Sequence, residues 1–262
     1  MRNLLGFSTP NFISGDDMSE KCLKLWLKAG SDGESVNGDP LSQQLFMMLL
    51  LKGDKCPFNV ITINEAKPPP EFKNAGFRHA PAIQQDEDCA YSHPDEIVEY
   101  IESRFPDPDL KSDEVEADAA TADLFRAFCF FVKEVNKDPK GLLNELYRLD
   151  QFLSSNGHQF LTAETPKLID CNVLPKLHSI RIASRALKNF EIPADLHNLW
   201  RYLHAGYQHK AFKTSCPSDQ EIILYWADRK DTADLPPSKR TQLSRQEPVF
   251  TLTVPPESLK SK

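Results

Sequence analysis

The hydrophobic pattern of this chain mixes strand and helix periods before Pro106-Asp107-Pro108 and is helical after it. From Leu23 apolar residues recur at every second position: Leu23, Leu25 and Leu27 alternate with Lys24, Trp26 and Lys28, as in a strand. After the two prolines they recur at three- and four-residue intervals. Leu124, Phe125, Phe128, Phe131, Val132 and Val135 form one such stripe, and Leu142, Leu143, Leu146, Leu149, Phe152 and Leu153 form the next. Both stripes read as the core faces of helices. The 262 residues suffice for two domains, and a short polar segment rich in proline is where two domains part. The pattern therefore predicts an α/β domain at 21–105, a linker at 106–112 and an all-helical domain at 113–228.

The α/β half divides further. Gly30 to Gly38 reads as a loop, and Asp39-Pro40 as a helix start, because aspartate caps free amide hydrogens and proline fits a first turn that needs none. That helix runs to about Lys52. Phe58 to Ile63 is β-branched and reads as a second strand, whereas Pro68-Pro69-Pro70 argues against regular structure after it. Pro81 to Gln85 and Cys89 to Ser92 are two short strand candidates, and His93-Pro94 opens a helix through Phe105. This order of elements is what a thioredoxin-like half domain requires. In the helical half, Leu168 to Leu187 is apolar on several faces, as a central buried helix is. Leu196 to Phe212 and Ser218 to about Asp228 complete it, the last opened by a Ser218/Glu221 capping box. Residues 1–20 and the proline-containing stretch 229–262 read as mostly disordered tails.

Composition removes several function classes. The net charge is −7, and between Asp86 and Asp118 there are 13 acidic residues against Arg104 and Lys111 alone. No clustered basic face is visible, which argues against nucleic-acid binding. Six scattered cysteines form no CxxC pair, so neither a zinc ribbon nor a dithiol redox motif is present, and reduced thiols in a cytosolic setting are expected. The chain contains no GxGxxG, P-loop or HExxH pattern and no histidine pair at i, i+4, so no metal site is expected. The first twenty residues lack an apolar run of secretory length.

Four blocks carry a resemblance to a known family. They are Lys28-Ala-Gly-Ser-Asp-Gly33 with Ser42-Gln-Gln-Leu-Phe-Met47 and Leu51-Lys-Gly53; Phe160-Leu161 with Asp170-Cys-Asn-Val-Leu-Pro-Lys-Leu-His178; Glu191-Ile-Pro193 with Leu199-Trp-Arg-Tyr-Leu203; and Ser215-Cys-Pro217 with Asp219-Gln-Glu221. Over Leu23 to Trp226 the chain resembles the chloride intracellular channel (CLIC) family. The short Ser154-Ser-Asn-Gly157 connection is more similar to its invertebrate branch. The resemblance implies a glutathione-transferase-like fold, α/β followed by all-α. It also implies a cytoplasmic protein with a membrane-associated form, whose partners are a membrane surface or bilayer, chloride and glutathione, and which oligomerises in the membrane.

One departure matters more than the likeness. Many family members begin their first helix with a cysteine, and a helix N-terminus favours the thiolate that forms a mixed disulfide. Here Asp39-Pro40-Leu41-Ser42 stands at that place, and Asp39 cannot do that chemistry. No catalytic residue is therefore expected, and enzymatic turnover is the lesser reading. A glutathione-like site, as the resemblance implies it, would use Asp39, Ser42 as a hydrogen-bond donor to the glutathione thiolate, the backbone of Ala80 before a cis Pro81, and Ser92 at the following helix start. No cofactor is required.

In the family, the segment matching Pro40 to Ile63 is the proposed membrane-spanning piece. Its 24 residues reach about 36 Å as a helix, which suffices. Lys52, Asp54 and Lys55 at mid-span would cost about 7–10 kcal/mol, against about 4–7 returned by its apolar side chains. Insertion therefore needs charge pairing, assembly around water, or a shift of Lys52 toward an interface. Lys52 and Lys55 are the candidate anion-attracting charges. Three readings stay open: a membrane-associating chloride transporter, a glutathione-binding transferase-like enzyme, and an adaptor that docks partners through its acidic surface or tail.

Overall fold

The computed structural model describes residues 22–86, 89–112, 115–135, 137–232 and 234–259. The expected N-terminal tail lies outside them.

The α/β domain is built on a four-stranded sheet in the order β2-β1-β3-β4. β1 (Leu23–Lys28) runs parallel to β2 (Phe58–Ile63) and antiparallel to β3 (Ala82–Gln84), which pairs with β4 (Ala90–Tyr91). The parallel pair needs a crossover, and α1 (Pro40–Lys52) supplies it. Leu23, Leu25 and Leu27 point to the face shared with α1 and α3 (Pro94–Arg104). The other face is not polar, as the alternation had suggested. Trp26 is 1% exposed and packs edge-on against Phe72, with Phe77, Ile63 and Ala82 around it. Phe72 belongs to α2 (Pro70–Asn74), so the triple proline that argued against regular structure instead leads into a helix, with Pro70 at its first position.

The all-helical domain comprises α4 (Val115–Thr121), α5 (Leu124–Val132), α6 (Lys140–Ser155), α7 (Leu168–Lys188), α8 (His197–Gln208), α9 (Lys210–Ser215) and α10 (Asp219–Ala227). α7 is the central helix. Asp170 at its third position accepts from the Lys167 amide at 2.8 Å, from the Leu161 amide at 3.0 Å and from the Tyr202 hydroxyl at 2.9 Å. The carboxylate half of a capping box thus forms although Lys167 cannot accept in return. Two expected boundaries move. Val135 is not core: α5 stops at Val132, Glu134 takes a left-handed backbone, and Val135 is 67% exposed. The segment Leu196–Phe212 is not one helix, because His209 breaks it and its Nδ1 accepts from the Ala211 amide at the start of α9.

The C-terminal stretch departs most from expectation. It contains α11 (Pro237–Arg245) and a 3-10 turn, Pro256–Leu259, and the chain between them is docked rather than loose. Asp219 N–H, an otherwise free donor in the first turn of α10, donates to Val249 O at 2.8 Å, and Asp219 Oδ1 accepts from Thr251 N–H at 3.1 Å. Gln220 brackets Val249 through its side chain, and Ser258 is buried with its carbonyl 2.9 Å from His197 Nδ1. Proline excludes regular ladders but not side-chain capture of an extended backbone.

Candidate functional site

The domains meet where α1 begins. Asp39 is the N-cap of α1, in extended backbone, and accepts from the Leu41 amide at 3.3 Å. Two further donors converge on the same carboxylate. Ser42 Oγ reaches Asp39 Oδ2 at 3.1 Å, and Tyr225 Oη of α10 reaches Asp39 Oδ1 at 3.0 Å. Burial, with the Asp39 charge beside it, pushes the Tyr225 phenol well up, so Tyr225 stays a donor. Ser42 is fully buried, and its hydroxyl is committed to the cap rather than turned toward a ligand.

The loop before α1 is clamped to α10. Ser31 donates to the Glu221 carboxylate through its amide, at 2.9 and 3.0 Å, and through its hydroxyl, at 2.5 Å. Ser218 caps α10 as expected, but the Glu221 side chain crosses to the other domain instead of closing the box. Gly38 makes this approach possible, because a Cβ there would lie 2.4 Å from the Glu221 carbonyl and Ile222 Cα. Beside the clamp lies a cleft of about 290 Å³ bounded by Lys28, Asn37, Tyr225 and Arg229.

The Ala80–Pro81 peptide is cis, as the resemblance implied. The Ala80 amide already has an internal acceptor, Glu65 Oε1, at 3.0 Å. Ser92 is exposed two residues before α3; His93 is the N-cap, and no side chain caps that end. The structure therefore brings Asp39 and Ser42 together and leaves Ser92 apart from them in hydrogen bonding.

Lys52 and Lys55 part company. Lys52 is 1% exposed at the end of α1, with Nζ 2.8 Å from Glu102 Oε1 of α3 and 2.9 Å from the carbonyl of Pro108 in the linker. Lys55 is exposed, 3.4 Å from Asp107. The segment Pro40–Ile63 is here a helix, a 3-10 turn and a strand. Among the described residues no helix is long and apolar enough to cross a membrane, and no group of three His, Cys, Asp or Glu could hold a metal ion. All six cysteines are free, and burial pushes Cys56 up to about 12.

Tyr225, Glu65, Glu102 and Glu221 were not singled out as site residues from sequence. Each meets its partner across 15 to 190 residues, and only Glu221 stood in a recognisable motif, which it does not serve.

These contacts can be set beside known proteins. Residues 21–108 match the family model described as CLIC-like N-terminal domain. The chain is 44% identical over 236 residues to the chloride intracellular channel exl-1 of Caenorhabditis elegans, covering 88% of this chain and 98% of that one. The chain belongs to the chloride intracellular channel family. The crystal structure of the CLIC homologue EXC-4 from C. elegans superposes with a TM-score of 0.79 at 26% identity, covering 91% of this chain and 96% of EXC-4. A dehydroascorbate reductase from Chlamydomonas reinhardtii superposes at 0.67 with 22% identity, over 78% of this chain and 97% of its own. A glutathione S-transferase from the clam Laternula elliptica superposes at 0.58 with 15% identity, over 85% and 98%. The last two share the fold. In this CLIC the α/β domain followed by helices is thus the glutathione-transferase-like arrangement that the resemblance implied.

Proposed function

We propose that this CLIC protein passes between the fold described here, in the cytoplasm, and a membrane-associated oligomer that lets chloride cross. The observation that carries the reading is the buried Lys52–Glu102 pair. Lys52 belongs to the segment that would enter the membrane, and its counter-charge comes from α3, outside that segment. While the pair holds, α1 stays on the sheet; when it parts, Lys52 is left as an uncompensated cation that attracts an anion, with Lys55 beside it. The chemistry is physical rather than covalent, since the α1 N-terminus offers a carboxylate already engaged by three donors. Purified protein added to chloride-loaded vesicles should give salt-sensitive efflux, and adding Lys52→Glu and Lys55→Glu to a Glu102→Gln chain, in which the pair is already broken, should reduce it. Equal efflux from that variant would remove the two charges from the reading.

A second reading, non-covalent glutathione binding, is favoured by the cleft beside Asp39 and Tyr225. Lys28 and Arg229 on its walls suit the carboxylates of a tripeptide, and Asp228 beside them suits its ammonium. Titration calorimetry should give similar heats for glutathione and S-methylglutathione, because no thiol contact is needed. Absence of heat with both would end this reading.

A further inference from the structure

A cavity of about 300 Å³ opens on the helical domain where α4 gives way to α5, and neither reading above uses it. Its walls include Asp118 and Thr121 of α4, Phe125 of α5, and Asn172 and Lys176, one turn apart on α7. Lys176 is half-buried, and among the described residues no carboxylate lies within ion-pair distance of its ammonium. Its Nζ stands 5.2 Å from the centroid of the Phe125 ring, a contact that recovers only part of the lost hydration. Burial accordingly lowers the pKa of Lys176 from the usual lysine value, with the Cys129 thiol acting weakly against it. Asn172 Oδ1 is buried without a hydrogen-bond partner. A buried acceptor with no donor carries its full desolvation penalty, so in native proteins such atoms call for a partner. Asp118 contributes an exposed carboxylate.

An unpaired ammonium and a carboxylate lining one small cavity, with an orphaned acceptor buried in its wall, select their ligand by charge. A bare anion would meet repulsion from Asp118 and from the Asn172 oxygen. A bare cation would meet it from Lys176. We propose that this cavity binds a small zwitterion of the amino acid or short-peptide class, its carboxylate on Lys176 and its ammonium donating to Asp118 and, once the Asn172 amide turns toward the cavity, to Asn172 Oδ1. The Phe125 ring and the Val173 side chain supply an apolar wall for the ligand's carbon atoms.

The test is calorimetry on the full chain with glycylglycine, run beside acetate and methylammonium at fixed ionic strength. Glycylglycine should bind saturably, and each single-charge half should bind at least about tenfold more weakly, the loss expected for one charge-assisted hydrogen bond. Lys176→Met, which keeps the stem over Phe125, should lose a similar factor, and Lys176→Arg should retain binding. Asp118 is exposed, so Asp118→Asn leaves the fold intact and should also weaken binding even if Lys176→Met proves unstable. Amide shifts at Thr121 and Asn172 on titration would place the ligand. No saturable heat from glycylglycine, as expected if Lys176 turned back onto Asn172, would overturn the proposal. So would acetate binding equally tightly, or glycylglycine binding unchanged in Lys176→Met and Asp118→Asn.

Discussion

Tyr225 Oη donates to Asp39 Oδ1 at 3.0 Å and so ties the start of α1 to α10, across 186 residues and the domain boundary. The place where a helix dipole would activate a thiol is used here as an interdomain fastening. A carboxylate is stabilised by the same field that favours thiolate, but it forms no bond to sulfur.

Replacing that oxygen acid with sulfur should restore the missing chemistry. In Asp39→Cys the thiol sits at the α1 N-terminus and should titrate below the ordinary free-cysteine value of about 8.5. Thiolate absorbance against pH measures this, and after incubation with glutathione disulfide mass spectrometry should find a mixed disulfide on residue 39 of the variant, one glutathione thiol being released. A thiol titrating at or above the ordinary value would show that the α1 terminus is not an activating environment.

Breaking the Lys52–Glu102 pair from one side should destabilise the folded chain by about 3–5 kcal/mol, because a buried charge is left without its partner. Both charges are nearly inaccessible, and Lys52 also holds the Pro108 carbonyl. Lys52→Met should therefore cost more than Lys52→Met combined with Glu102→Leu. Urea unfolding of the two singles and the double gives the coupling directly; additive effects would mean that the pair does not act as a unit.

Much of this fold can be read from the chain because it depends on local pattern. The Asp39-Pro40 start of α1 follows from its cap, and the span of α7 from a run of residues apolar on several faces. What could not be read depends on distant packing. The Trp26 face looked polar because the covering residue, Phe72, lies behind three prolines. The docked tail is held by Asp219 and Gln220, whose partners carry no periodic signal. At the site, Asp39 was legible as a cap, whereas its third donor, Tyr225, could be found only from the assembled domains.

Acid should loosen the helical domain through His178. This residue is fully buried, with Nδ1 2.9 Å from the Tyr207 hydroxyl, and burial together with the Arg181 charge lowers its pKa from 6.5 to about 3. A histidine depressed in the folded state supports the fold while neutral. Its contribution is complete above the unfolded value near 6.5 and is lost as pH falls toward about 3. The slope is about 1.4 kcal/mol per pH unit for one such group. Asp170 works in the opposite sense, since burial raises its carboxyl, favouring the fold below its unfolded value and opposing it as pH rises through the folded one. Denaturant midpoints between pH 6.5 and 4.5 should fall for the native chain and fall less for His178→Gln. Parallel curves would exclude His178 as the source.

Truncation after Arg245 should remove the partners of the α10 first turn. The lost bonds include Asp219 N–H to Val249 O, Thr251 to Asp219, and Arg181 to the Thr251 carbonyl. At about 0.5–1.5 kcal/mol each, the expected cost is about 2–4 kcal/mol. Hydrogen exchange should rise first at the Asp219 amide. Unchanged protection there would mean the tail contributes nothing to α10.

Chloride efflux from vesicles, with the native chain and Glu102→Gln measured side by side, addresses the functional reading most directly. With the α3 counter-charge removed, α1 is held less firmly, so the variant should release chloride faster than the native chain, and both should exceed protein-free vesicles. Native efflux that never rises above the protein-free rate, at any pH or lipid composition tried, would contradict conduction; equal rates for the two chains would contradict the Lys52–Glu102 latch.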